Sequence, residues 1–157
     1  KRKNMQKLNF KLFFENKSEF DKDVKQILKI IPKKHAELVK NYNFKAQKDN
    51  VLDGDPDNVG EIDEKEKHIK ISSPWNYSRC FVTLHEIAHA VYKYIMTKEL
   101  KKEWNNLVDK IKKNKKHKLE KDNEEVFCMI YAQNYCKNKM MKYDHPELQE
   151  FIKKLPK

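Results

Sequence analysis

His85-Glu86-Ile87-Ala88-His89 places two imidazoles four residues apart with a carboxylate between them. In a helix, positions i and i+4 lie one turn apart on the same face, so both rings can address one ion. Neutral imidazoles suit Zn²⁺, and a catalytic zinc site keeps one tetrahedral position for a water molecule. Glu86 stands close enough to take that water's proton as general base. The chemistry this pattern predicts is metal-assisted hydrolysis of a peptide bond. The same pattern also arises by coincidence, so its flanks matter. Phe81, Leu84, Ala88, Val91 and Ile95 recur at three- and four-residue steps and give a buried stripe that holds the pair against a core.

Two histidines need a third protein ligand. Asp122-Asn123-Glu124-Glu125-Val126-Phe127-Cys128 reads as the opening of a second apolar helix, with Asp122 or Asn123 as its cap. One of the two glutamates can face the metal while the other faces solvent. Glu125 is the better candidate, because Val126 and Phe127 follow it directly and Cys128, Ile130 or Tyr131 give it a buried side. Alternatively, both acids simply favour the helix N-terminus through its dipole, with no metal involved.

With these two segments in hand, the chain resembles the catalytic domain of anthrax lethal factor and the Pro-Pro endopeptidases, a family of compact gluzincin zinc metallopeptidases. Its first motif is matched by His85-Glu86-Ile87-Ala88-His89-Ala90, and its E-E-F-F-A-E-like helix start by Glu124-Glu125-Val126-Phe127-Cys128. Leu38 to Lys45 resembles the family's helix end and first strand, and Val59 to Ile71 its edge-strand hairpin. The likeness runs from about Lys25 to Lys154. It implies His85, His89 and Glu125 as zinc ligands and Glu86 as general base. It also implies an extended peptide or protein substrate paired along an exposed strand, for which Gly60, Glu61 and Ile62 are the candidate edge. There are departures. The family's oxyanion-stabilising tyrosine falls, seven residues before Glu125, at Lys118; His117 beside it is the candidate replacement, and a solvated loop is the alternative. The acidic residue four positions after the ligand glutamate is replaced by Met129, leaving the second-shell partner of a zinc histidine unassigned. The first helix also resembles that of regulatory proteases cleaving phage repressors, although their Glu-x-x-Ala-Asn segment is absent.

The elements expected to position these residues form an α+β fold in one domain spanning 1–157, with a mixed α/β half over 1–74 and a helical half over 75–157. The first half should hold a strand at Asn9 to Phe14, a helix capped by Ser18 and carrying Val24, Ile27, Leu28 and Ile31, and a short helix begun by Pro32. A strand near Phe44 to Gln47 follows, then a Glu61 to Ile71 hairpin turning at Glu64-Lys65-Glu66-Lys67. Helices over Tyr77 to Met96, Lys98 to Ile111, Asn123 to Asn138 and Pro146 to Leu155 complete the chain. Asp53-Gly54-Asp55-Pro56-Asp57-Asn58 reads as loop, since its spacing and lack of a terminal glutamate fit calcium poorly. Trp75 and Tyr77 are placed either to line a subsite or to pack in the core.

Composition fits this picture. Only 2 of 157 residues are Gly and 38% are charged, which favours helices. The net charge is +11, yet Arg2 and Arg79 are the only arginines. Lysine without arginine suits neither base readout nor bidentate phosphate forks, so nucleic acid is not the expected ligand. The Lys110 to Lys118 run reads as a solvated segment that could instead steer an acidic substrate or contact polyanions; a binding module without turnover is thus the reading from another class. No apolar run is long enough for a membrane span, and a monomer is expected. Cys80, Cys128 and Cys136 read as buried free thiols, which favours a reducing cytoplasmic compartment, with secretion open if a leader was removed.

Overall fold

The computed structural model describes residues 17–47, 60–72, 79–114, 119–136 and 145–157. The Asn9 to Phe14 strand, the Asp53 to Asn58 loop, Trp75, Tyr77, His117 and Lys118 lie outside the described residues. Six helices and three strands are described, in the order α1 (Lys17–Ile30), α2 (Lys33–Val39), β1 (Asn43–Gln47), β2 (Gly60–Asp63), β3 (His68–Ser72), α3 (Arg79–Tyr94), α4 (Lys98–Lys113), α5 (Asn123–Tyr135) and α6 (Pro146–Lys153). The α+β class expected from sequence is observed.

The sheet is mixed, with strand order β1-β3-β2. β1 pairs parallel with β3, and β2 pairs antiparallel with it, Ile62 opposite Ile69 and Asp63 opposite His68. Because β3 is central, Ile69 and Ile71 are fully buried, whereas β2 is an edge among the described strands. The turn falls at 64–67 as the charged tetrapeptide predicted, and Lys67 closes it with φ of 49°.

Ser18 lies inside α1 instead of capping it. A hydroxyl–acid pair near a helix start is a weak marker of the exact first residue. Pro32 does begin α2: its carbonyl accepts from His35 N and Ala36 N, and its fixed φ suits the entry. Thr97 caps α4 by accepting from Leu100 N at 3.2 Å, and Asp122 caps α5 by accepting from Glu124 N at 2.8 Å.

One cluster of buried side chains runs from Phe20 on α1 to Leu155 after α6. Its centre is the face shared by α3 and α5, where Phe127 meets Tyr92 and Trp104 edge-on at centroid distances of 5.2 and 5.4 Å. Trp104 Nε1 donates to Asn123 O at 2.7 Å, and Lys112 Nζ donates to both Lys121 O and Asn123 Oδ1. Lys112, one of the lysines of the basic run, therefore anchors the start of α5 to α4. No helix among the described residues is long and apolar enough to cross a membrane.

At the far end of α5, a buried polar pair sets the helix against the N-terminal half. His35, 0% exposed, donates from Nε2 to Pro156 O at 2.8 Å. Its Nδ1 must then accept from the Tyr131 hydroxyl, 3.0 Å away. Burial is the main influence on the ring and pulls its pKa below the usual 6.5; the Pro156 bond opposes this and Lys34 adds to it. The fold therefore holds His35 neutral, and this group's stabilisation is complete above the unfolded value of 6.5 and fades as pH falls below it. We expect His35→Gln to flatten the acid side of the melting-temperature profile, and His35→Ala to cost about 2–4 kcal/mol through a cavity and an orphaned Tyr131 hydroxyl. Thermal melts between neutral and mildly acidic pH check both.

Candidate metal centre

α3 presents His85 and His89 toward the N-terminus of α5. Their rings meet edge-on with centroids 5.2 Å apart, as the i, i+4 spacing predicted. On α5, Glu125 spans the pair: Oε2 lies 3.1 Å from His85 Nε2, and Oε1 lies 3.4 Å from His89 Nε2. Bonds of about 2.0–2.2 Å in a tetrahedral zinc site place neighbouring donor atoms roughly 3.3–3.6 Å apart. The two carboxylate–imidazole separations lie close to that spacing, and two imidazoles with a carboxylate are a donor set that suits zinc. Glu125 is held below the usual carboxylate range by its hydrogen bond to His85, against burial, with the charges of His85 and His89 assisting.

Glu124 does not simply face solvent. Its Oε1 accepts from His89 Nδ1 at 2.8 Å. A carboxylate can only accept, so Nδ1 carries a proton, and in the neutral ring Nε2 is the nitrogen left with a lone pair. Burial pulls the His89 pKa down, but the Glu124 bond and the charges of Glu86, Glu125 and Glu124 outweigh it, and the net shift is upward. Sequence reasoning assigned Glu124 no part at the site and left this partner blank. The signal was available: consecutive helix positions point about 100° apart, so adjacent glutamates can reach different nitrogens of a facing pair. Replacing Glu124 by Ala should weaken zinc binding roughly 10–100-fold while the fold melts near the native temperature, read by competition with a chromogenic chelator.

Cys128 was also missed. Its sulfur and one nitrogen from each histidine all lie within 4.8 Å of one another. It is fully buried one turn beyond Glu125, and burial, with the charges of Glu125, Glu124 and Glu86, pushes its thiol up. The Glu125 side chain is 42% exposed, whereas Cys128 is fully buried, so Glu125 opens onto the side a substrate could reach. Glu125 and Cys128 are thus both candidates for a third donor beside His85 and His89. All three cysteines are free; Cys80 is half-buried, and its thiol is pushed up first by a hydrogen bond with Cys136 and then by burial.

Glu86 is 5% exposed. Burial raises its pKa, the two histidines pull it back, and Glu125 and Glu61 raise it again. A carboxyl lifted toward neutrality is a better proton acceptor than an ordinary glutamate. What covers it is the backbone of β2. A Cβ added at Gly60 would stand 2.3 Å from Glu86 Oε1 and 2.8 Å from its Cδ, so any larger residue there forces the Glu86 side chain or the strand to shift. At the other end of the strand, Glu64 Oε2 accepts from Tyr94 OH at 2.7 Å and pairs with Lys93. Gly60 to Glu64 spans roughly 13 Å as a strand, and Glu86 to Lys93 roughly 10 Å as a helix. β2 therefore runs along α3 in the same direction, pinned at both ends. Gly60, Glu61 and Ile62 lie on this edge strand over the motif helix, where the sequence placed them.

Compared with known proteins, the chain matches no family model, no curated protein and no solved structure.

Proposed function

We propose that the chain is a zinc-dependent metalloendopeptidase of the lethal factor-like, gluzincin kind, and that His85, His89 and Glu125 hold the metal. The observation that carries this reading is Glu125 bridging both Nε2 atoms at 3.1 and 3.4 Å, with Glu86 sequestered beside them. When bound, zinc would polarise a water molecule and lower its pKa toward neutrality. Glu86, its pKa already lifted, takes the proton and is placed to return it to the leaving amine. Glu124 keeps His89 in the tautomer that binds metal. β2, an edge among the described strands, offers its outer side to an extended peptide, so main-chain hydrogen bonds would align the scissile bond along α3. His117 is the proposed oxyanion donor.

A mixture of unstructured peptides incubated with the protein and read by mass spectrometry tests the proposal. Cleavage at a consistent bond, lost with chelator and restored by zinc, is the expected outcome. Intact peptides in the presence of bound zinc would favour a binding module that holds metal without turnover.

A further inference from the structure

The face of the β2–β3 hairpin turned away from α3 carries a second group of donor atoms. Glu61 and Asp63 are two residues apart on β2 and so share a face. The antiparallel register puts Asp63 directly opposite His68. Gly60 and Ile62 point the other way, Gly60 against Glu86. Ligand atoms from Glu61, Asp63 and His68 all lie within 4.8 Å of one another. All three side chains are half-buried, and Nε2 of His68 is shielded from solvent with no hydrogen-bond partner among the described residues. His68 thus brings one ring nitrogen close to the two carboxylates and carries an Nε2 whose hydrogen-bonding capacity is unused among the described residues.

We propose that Glu61, Asp63 and His68 form a second divalent-cation site that staples β2 to β3. One imidazole with two carboxylates is a donor set of intermediate hardness, suited to Zn²⁺ or Mn²⁺. Neither acid is used up by its existing contact. Asp63 Oδ1 accepts from Glu66 N at 2.9 Å, and Glu61 Oε1 faces Lys70 Nζ at 3.6 Å, but each ionised carboxylate has about four acceptor positions. The site sits at the closed end of the hairpin whose first residue covers Glu86. A cation there would hold the edge strand in register and keep Gly60 in place. That consequence rests on the peptidase reading; the binding site itself does not.

The test is zinc titration of the full chain carrying His85→Ala and His89→Ala, which empties the first centre, with and without His68→Ala. The background variant should take up one equivalent of zinc and melt at a higher temperature in its presence. Adding His68→Ala should abolish both, and Asp63→Asn should weaken both if the His68 variant folds poorly. Equal uptake with and without His68, or no uptake by the folded background variant, overturns the hairpin site. The native chain reports separately on the first centre: failure of zinc to bind at His85 and His89 leaves the His68 comparison intact.

Discussion

Glu86→Gln should lower peptide hydrolysis roughly 10²–10⁴-fold while zinc content and melting temperature stay near native. Gln keeps the shape and can donate and accept hydrogen bonds, but it cannot take a proton. Glu86 lies in the core-facing row of α3 and is 5% exposed, so an amide in its place removes a buried charge without opening a cavity. None of the three proposed ligands is altered. The measurement pairs initial rates on a cleaved peptide with zinc per chain. A variant that retains full rates would show that Glu86 is only a buried structural carboxyl, whatever the metal does.

Gly60→Ala is the second large effect, and it comes from outside the motif. The added methyl group would stand 2.3 Å from Glu86 Oε1, closer than real contacts allow, so the carboxyl, the strand or both must move. Displacing a catalytic group by about 1 Å can cost on the order of 10²-fold in rate. Overpacking of this kind also costs typically 1–3 kcal/mol of stability. We expect kcat/KM to fall by about that factor while zinc stays bound. A double-mutant cycle identifies the route. If Gly60→Ala acts by moving Glu86, combining it with Glu86→Gln should be scarcely slower than Glu86→Gln alone. Additive losses would mean that the glycine serves substrate pairing independently.

The sequence disclosed what depends on local pattern. Helix α3 follows from apolar spacing, the β2–β3 turn from its charged tetrapeptide, and the start of α5 from Asp122 ahead of two acids. Of the two adjacent glutamates, Glu125 is the one whose carboxylate lies between both Nε2 atoms. What stayed hidden depends on elements far apart in the chain. Glu124 finds His89 only because α5 crosses α3 at its first turn. Cys128 reaches the histidines because it sits one turn further along that contact. Gly60 was visible as one of two glycines, yet nothing local says that its missing side chain makes room for a carboxyl from another element. His35 drew no attention in the sequence, whereas it ties Tyr131 to the Pro156 carbonyl.

The reading depends on one claim above the others, that His85, His89 and Glu125 together hold zinc. The direct measurement is zinc per chain after dialysis against trace zinc, in a His68→Ala background so that the hairpin does not contribute. The background chain, its Glu125→Ala derivative and its Cys128→Ser derivative are compared. We predict close to one zinc in the background chain, clear loss with Glu125→Ala, and retention with Cys128→Ser. No zinc in a folded chain, or loss with Cys128→Ser and retention with Glu125→Ala, would contradict the proposed centre.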